Sequence, residues 1–138
     1  MKEIFEKMNI VPIVAAFKYN MDEEAYGNIY DLKISDTINI IRDNEKCQFE
    51  IIREIKDTED KALDIYIKVK SLRLLIDKNI DNQEIVAYLN KNIDILKREA
   101  RLVSIVISQV TLNSGFGGIV TMPIIEKPKI NIYIKQDK

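Results

Sequence analysis

From Tyr30 onward the apolar residues fall on even positions, at Tyr30, Leu32, Ile34, Ile38 and Ile40, while Asp31, Lys33, Ser35, Thr37 and Asn39 take the odd ones. A period of two is what a strand with one buried face requires, because successive side chains leave opposite sides of a sheet. The pattern predicts a strand, bent near Asp36. After the polar turn RDNEK, Cys47, Phe49, Ile51 and Ile55 alternate with Gln48, Glu50, Ile52 and Glu54, and DTEDK at 57–61 makes a second turn. A third strand sends Leu63, Ile65, Ile67 and Val69 inward, and its apolar set changes phase after Ser71 to Leu72, Leu74 and Ile76, which predicts a bulge or a change of environment there. Residues 10–19, leading into the polar loop NMDEEAYGN, supply a fourth strand. The hairpin connections among the three strands from Tyr30 onward imply an antiparallel meander.

The period then changes. Asp81 is placed to cap a helix with Glu84 three residues on, and Ile85, Leu89, Ile93, Leu96, Ala100, Val103, Ile107 and Val110 recur at spacings of three and four. The spacing predicts one helix over residues 82–112, on the order of 45 Å long, which exceeds what one small sheet needs for cover. Its first half keeps a polar face with Asn90, Lys91, Asp94 and Lys97, whereas LVSIVISQVTL is apolar on nearly every side. Such a helix is buried from two directions, either inside a thick monomer core or, the reading favoured here, between subunits. Leu102, Val103, Ile105, Val106, Ile107 and Val110 are the expected assembly surface.

Beyond the helix, SGFGGIVTMPII at 114–125 holds three of the four glycines. A phosphate loop needs its glycines after a strand and before a helix, so that free N–H groups face the anion. Here the order is reversed. Gly115 suits a left-handed helix stop, Phe116 can fold back on the last turn, and the other glycines read as a hinge. The following IVTMPIIEKPKINIYIK is extended in character, and Pro123 and Pro128 lack the N–H that a central strand uses, so something must cover it.

Composition narrows the chemistry. The chain has 138 residues, 46% of them hydrophobic, enough for one domain with a true core. Its 21 basic and 22 acidic side chains nearly cancel, leaving no overall field for nucleic acid or an anionic membrane. Tryptophan is absent and no basic stripe alternates with aromatics, which argues further against nucleic acid. There is no histidine, hence neither the commonest general base and metal ligand nor a Ser-His or Cys-His dyad. The single cysteine, Cys47, reads as core on an inward strand position, and DTED lacks the ligand rhythm of a calcium loop. No catalytic residue, metal or cofactor is expected. Glu3 and Glu6 spoil a basic leader, the apolar run at 10–17 is short and broken by Pro12, and no stretch approaches the roughly 20 apolar residues of a membrane span. Mature, soluble, cytoplasmic sequence without membrane insertion is the expectation, and the lone cysteine suits a reducing compartment.

One local string is distinctive: Ile95 and Leu96, then Ala100 and Arg101, Ile107 and Ser108, Thr111, the loop pair Gly115 and Phe116, and Pro123 followed by Ile124. It resembles the corresponding stretch of the SecB family of export chaperones, and with the strands upstream the similarity spans residues 10–125, leaving 126–138 as an extended tail of the one domain. The resemblance implies an α+β subunit, a four-stranded antiparallel sheet followed by a long helix, with helices packed inside a dimer of dimers. It implies an ATP-independent holdase whose apolar grooves keep unfolded polypeptide clients extended, handing preproteins to the SecA motor or guarding an antitoxin. Tyr30, Leu32 and Ile34 resemble the family's client-lining strand, with Phe116, Ile119, Met122 and Ile124 joining from the loop. The competing assignment makes all seven the subunit's own core.

Three departures stand out. Gly117 and Gly118 occupy a loop that carries prolines in typical members, EKPKINIYIKQDK is short and strand-like where they continue into a lid helix, and Lys68 replaces an acidic residue that serves motor docking. A non-chaperone oligomeric scaffold or adaptor would share the sheet and helix but lack a continuous apolar groove. A small-ligand domain would need a closed pocket with convergent polar groups, which the sequence does not reveal.

Overall fold

The computed structural model describes residues 2–21, 32–57, 63–113 and 119–135. Residues 22–31, 58–62 and 114–118, with Tyr30 and Phe116, lie outside them. Strands β1 (Ile13–Met21), β2 (Leu32–Asp43), β3 (Lys46–Asp57) and β4 (Leu63–Leu74) precede helix α1 (Asn82–Lys91), a 3-10 turn at Ile93–Leu96, helix α2 (Lys97–Asn113) and strand β5 (Lys129–Ile134). The sheet order is β1-β4-β3-β2-β5. The first four strands pair antiparallel, as expected, and the tail adds a fifth, parallel to β2 at 37–42. The fold class is α+β.

Alternation decides which face meets the helices. Ile38 and Ile40 of β2, Phe49, Ile51 and Ile55 of β3, and Leu63, Ile65, Ile67 and Val69 of β4 are buried in one cluster with Ile85, Leu89, Leu96, Ala100, Val103 and Ile107 from the helical layer. The β2–β3 hairpin closes through Asn44 at φ 56°, a left-handed position that asparagine tolerates better than most residues. At the other end Phe5 is buried, its ring edge-on to Phe49 and Tyr88 at 5.6 and 6.0 Å. Cys47 is fully buried, and that burial pushes its thiol up to about 11 against a smaller opposing pull from Arg42.

Two sequence expectations fail, each for a definite reason. The helix over 82–112 is broken at Asn92, whose backbone leaves the helical region at φ −131° and whose side-chain Nδ2 donates to the Tyr88 carbonyl at 2.9 Å. Asparagine here competes with the helical ladder for a carbonyl. The 3-10 turn that follows advances the chain by threes, so the apolar spacing runs through the break and conceals it. The Asp81 cap is present, accepting from the Glu84 N–H at 2.8 Å. The second failure is in β4, where no phase change occurs. Ser71 and Arg73 stay on the buried face, Leu72 is exposed, and pairing with β3 runs uninterrupted from 64 to 74. Polar residues hold that track because α2 supplies a partner: Glu99, fully buried, accepts from the Ser71 hydroxyl at 2.7 Å and pairs with Arg73. The register shift instead falls in β1 between Val14 and Ala16, bringing Val14 opposite Val69 and Phe17 opposite Ile67.

Candidate functional site

Residues 119–125 do not join the sheet. Ile119, Thr121 and Ile125 are buried while Val120, Met122 and Ile124 are exposed, an alternation interrupted at the bend by exposed Pro123. Three side chains hold this rib down. Thr111 donates its hydroxyl to the Ile107 carbonyl and accepts the Ile119 N–H, both at 2.7 Å, so the end of α2 anchors the rib's first residue. Ser104 donates to the Thr121 carbonyl at 2.7 Å.

Arg53 supplies the third hold. It sits on the inward track of β3, opposite Asp36 of β2, with both side chains buried. Nε and Nη2 donate to the two Asp36 carboxylate oxygens at 2.7 and 2.9 Å, a bidentate pair. Nη1 donates to Thr121 Oγ1 at 2.9 Å and the Met122 carbonyl at 2.8 Å, and Nη2 also reaches the Ile124 carbonyl at 2.7 Å. A guanidinium has five N–H donors, so all are used and none is left for a ligand.

Between rib and sheet lies an open cleft of about 550 Å³. Ile34, Ser35, Asp36 and Thr37 form its β2 wall, Arg53 lies at its base, Met122 and Ile124 form its lip, and Glu126, Lys127 and Lys129 close one end. The first four residues of β2 are exposed on both faces. β5 pairs with β2 only from Thr37 onward, so the outer edge of 32–36 carries no partner strand among the described residues. The cleft therefore combines exposed aliphatic side chains, an unpaired strand edge and a charge-saturated base. No group of three potential metal ligands occurs among the described residues.

The expected site residues divide three ways. Ile34, Met122 and Ile124 meet at the cleft, 47%, 61% and 45% exposed, with Leu32 exposed on the same strand. Ile119 turns into the core. Tyr30 and Phe116 fall outside the described residues. Of the expected assembly surface, Val103 and Ile107 are consumed by the subunit's own core, because they face the sheet, and have no area left for a partner. Leu102, Val106 and Val110 are half-buried, Ile105 is exposed, and Leu112, which the sequence reading passed over, is more exposed still. Lys68 faces away from the helices, with its ammonium and that of Lys70 within 3.8 and 3.7 Å of Glu50. The Arg53–Asp36 pair was missed. Its signal was there: one charge of each sign interrupts an inward apolar track, Asp36 between Ile34 and Ile38 and Arg53 between Ile51 and Ile55.

Compared with known proteins, the sequence matches no family model and no curated protein. Among solved structures the fold is that of a SecB-like chaperone. The Mycobacterium tuberculosis SecB-like chaperone Rv1957, in complex with a ChAD peptide from the HigA1 antitoxin, superposes with a TM-score of 0.61 over 88% of both chains, at 8% identity. A protein of unknown function from Streptococcus agalactiae also matches, at a TM-score of 0.37 and 12% identity, over 85% of this chain and 99% of that one. Only the first similarity is close enough to bear on the fold. No helix among the described residues is long and apolar enough to cross a membrane.

Proposed function

We propose that this chain is an ATP-independent holdase that keeps unfolded polypeptide segments extended in the cleft between β2 and the rib. The observation that carries the reading is the row of exposed aliphatic side chains at Ile34, Met122 and Ile124, held outward by a fully satisfied buried network. Apolar side chains in water are costly to leave bare, at about 0.8 kcal/mol per CH₂ recovered on burial, and recovery of that area is nearly blind to client sequence. Met122 fits varied partners because its thioether chain adapts its rotamers. A holdase needs no catalytic group, since it acts by mass action on the unfolded state.

The SecB-like fold supports the same reading, and the antitoxin peptide in the mycobacterial neighbour favours a peptide or antitoxin client over handover to a SecA motor. Lys68, in place of an acidic docking residue, points the same way. Assembly into a dimer of dimers would cover Leu102, Ile105, Val106, Val110 and Leu112 on the outer side of α2 and align several clefts for avidity. A cytoplasmic site of action follows from this role.

The test is light-scattering suppression. Added without nucleotide to a refolding, aggregation-prone protein, the chain should lower scattering in proportion to its concentration, and Met122→Ser with Ile124→Ser should weaken the effect. Unchanged scattering across several clients would leave the scaffold or adaptor reading in its place.

A further inference from the structure

β2 presents one continuous outer edge from 32 to 42, and its two halves are treated differently. The first half, beside the cleft, has no partner strand among the described residues; the second is taken by β5, the chain's own tail. That tail reads KINIYI, apolar at alternate positions, so Ile130 and Ile132 lie against the core while Tyr133 and Ile134 are 54% and 67% exposed. In chemistry and conformation β5 is itself the kind of extended apolar segment the cleft would receive. We infer that β5 is a resident pseudo-client, holding half of the docking edge and displaced when a longer client segment extends out of the cleft.

The attachments of β5 favour exchange. It pairs along one edge only among the described residues, over six positions, supplemented by one side-chain bond from Asn131 Nδ2 to Asn39 Oδ1 at 3.0 Å and by the Lys135 N–H to the Arg42 carbonyl at 2.8 Å. The rib, by contrast, is tied through Arg53, Ser104 and Thr111, so the tail can leave while the lip stays. Between them lies Lys127 at φ 45°, a left-handed position that a residue with a Cβ disfavours, and it marks the bend. Glu126, Lys127 and Lys129, which launch β5, also wall the cleft, so a client filling it pushes on the segment that seats the tail. Displacement exchanges one backbone ladder for another, and main-chain hydrogen bonds ask little of client sequence.

This inference rests on the holdase reading, and a reversible lock separates the two. Asn39 and Asn131 are register partners on β2 and β5, so Asn39→Cys with Asn131→Cys places two thiols for a disulfide, while the buried Cys47 stays out of reach. Binding of permanently unfolded carboxymethylated lactalbumin is measured by fluorescence anisotropy in the oxidised and the reduced double variant. Reduced protein, which lacks the Asn131–Asn39 bond, should bind at least as tightly as the parent chain, and oxidised protein at least tenfold more weakly than reduced. In the parent chain, the client should also accelerate amide exchange at 130–134. Equal affinity in both redox states, or unchanged protection of β5 in the saturated complex, overturns the pseudo-client and leaves the holdase standing. Absence of binding by the parent chain overturns the holdase reading itself.

Discussion

Two buried arginines secure opposite parts of the sheet's inner face, and they do different work. Arg73 works mainly through side chains, with one bond to backbone: it pairs with Glu99 of α2, donates to Ser71 Oγ at 3.0 Å and to the Ile95 carbonyl at 3.0 Å, and stands 5.0 Å over the Phe49 ring. Arg53 spends three of its five donor bonds on the rib, two of them on backbone carbonyls, and the other two on Asp36. The first arrangement fixes a helix on a sheet and seals the face. The second fixes an irregular segment by its backbone, freeing that segment's outward side chains to remain aliphatic and exposed. Ion-pair chemistry of the same kind thus builds a dry core at one place and a lip at the other. The dry end also shows its cost, since the second Glu99 carboxylate oxygen is buried without a hydrogen-bond partner among the described residues.

The sharpest way to break this comparison is Arg73→Met. It abandons the Glu99 carboxylate in a dry layer, and breaking a buried pair this way costs roughly 3–5 kcal/mol, read as a drop in the denaturant midpoint. Client affinity of the molecules that remain folded should be unchanged. If affinity collapses as well, the two networks are not separable. Arg53→Met should cost somewhat less stability, about 2–4 kcal/mol, since Asp36 borders the open cleft and water can reach it. Its distinguishing effect is on function: with the Met122 and Ile124 carbonyls released, unfolded-client affinity should fall tenfold or more in the folded fraction, measured by anisotropy.

A gentler test addresses the lip alone. Ile34→Ser combined with Met122→Ser removes exposed apolar surface, so stability should move by no more than about 0.5 kcal/mol for each change. Client binding should nevertheless weaken several-fold, the reverse of the pattern expected for Arg73→Met. At neutral pH the smallest effect is expected from the Cys47 thiol in the sealed region, whose titration bears on stability only in alkali. Burial raises its pKa from 9.0 to about 11, so over that window the unfolded chain releases a thiol proton that the native state keeps. Fewer protons are then bound when unfolded, and stability falls as pH rises from about 9 to about 11. Cys47→Ala should flatten that part of the stability profile relative to the parent chain, as urea midpoints taken along the pH series would reveal.

Much of the framework was legible because it is written in local geometry. The alternations at Ile38 and Ile40, at Phe49 and Ile51, and at Leu63 through Val69 each told which side of a strand faces the core. The helix spacing found the buried stripe from Ile85 to Ile107. What escaped were the positions where an inward residue is polar. Ser71 reads in sequence as the point where the track changes phase, and Arg73 goes unremarked, because nothing nearby explains them; their partner, Glu99, is 28 and 26 residues away. The break at Asn92 was hidden by a turn that keeps a spacing of three. The lip was half visible: Met122 and Ile124 were singled out, but their outward orientation depends on carbonyls bound by Arg53, some 70 residues earlier.

By itself, then, the order of residues determined the α+β class, the four antiparallel strands, the inward face of each and the capped start of the helical layer, since dihedral preference and side-chain period are properties of neighbouring residues. Only the tertiary structure decided that the tail docks parallel to β2, that Val103 and Ile107 are spent inside the subunit, and that an unpaired strand edge opens beside an aliphatic lip. Those outcomes depend on which distant groups find one another when a buried charge or an unpaired backbone must be satisfied, and sequence spacing carries no record of that partner.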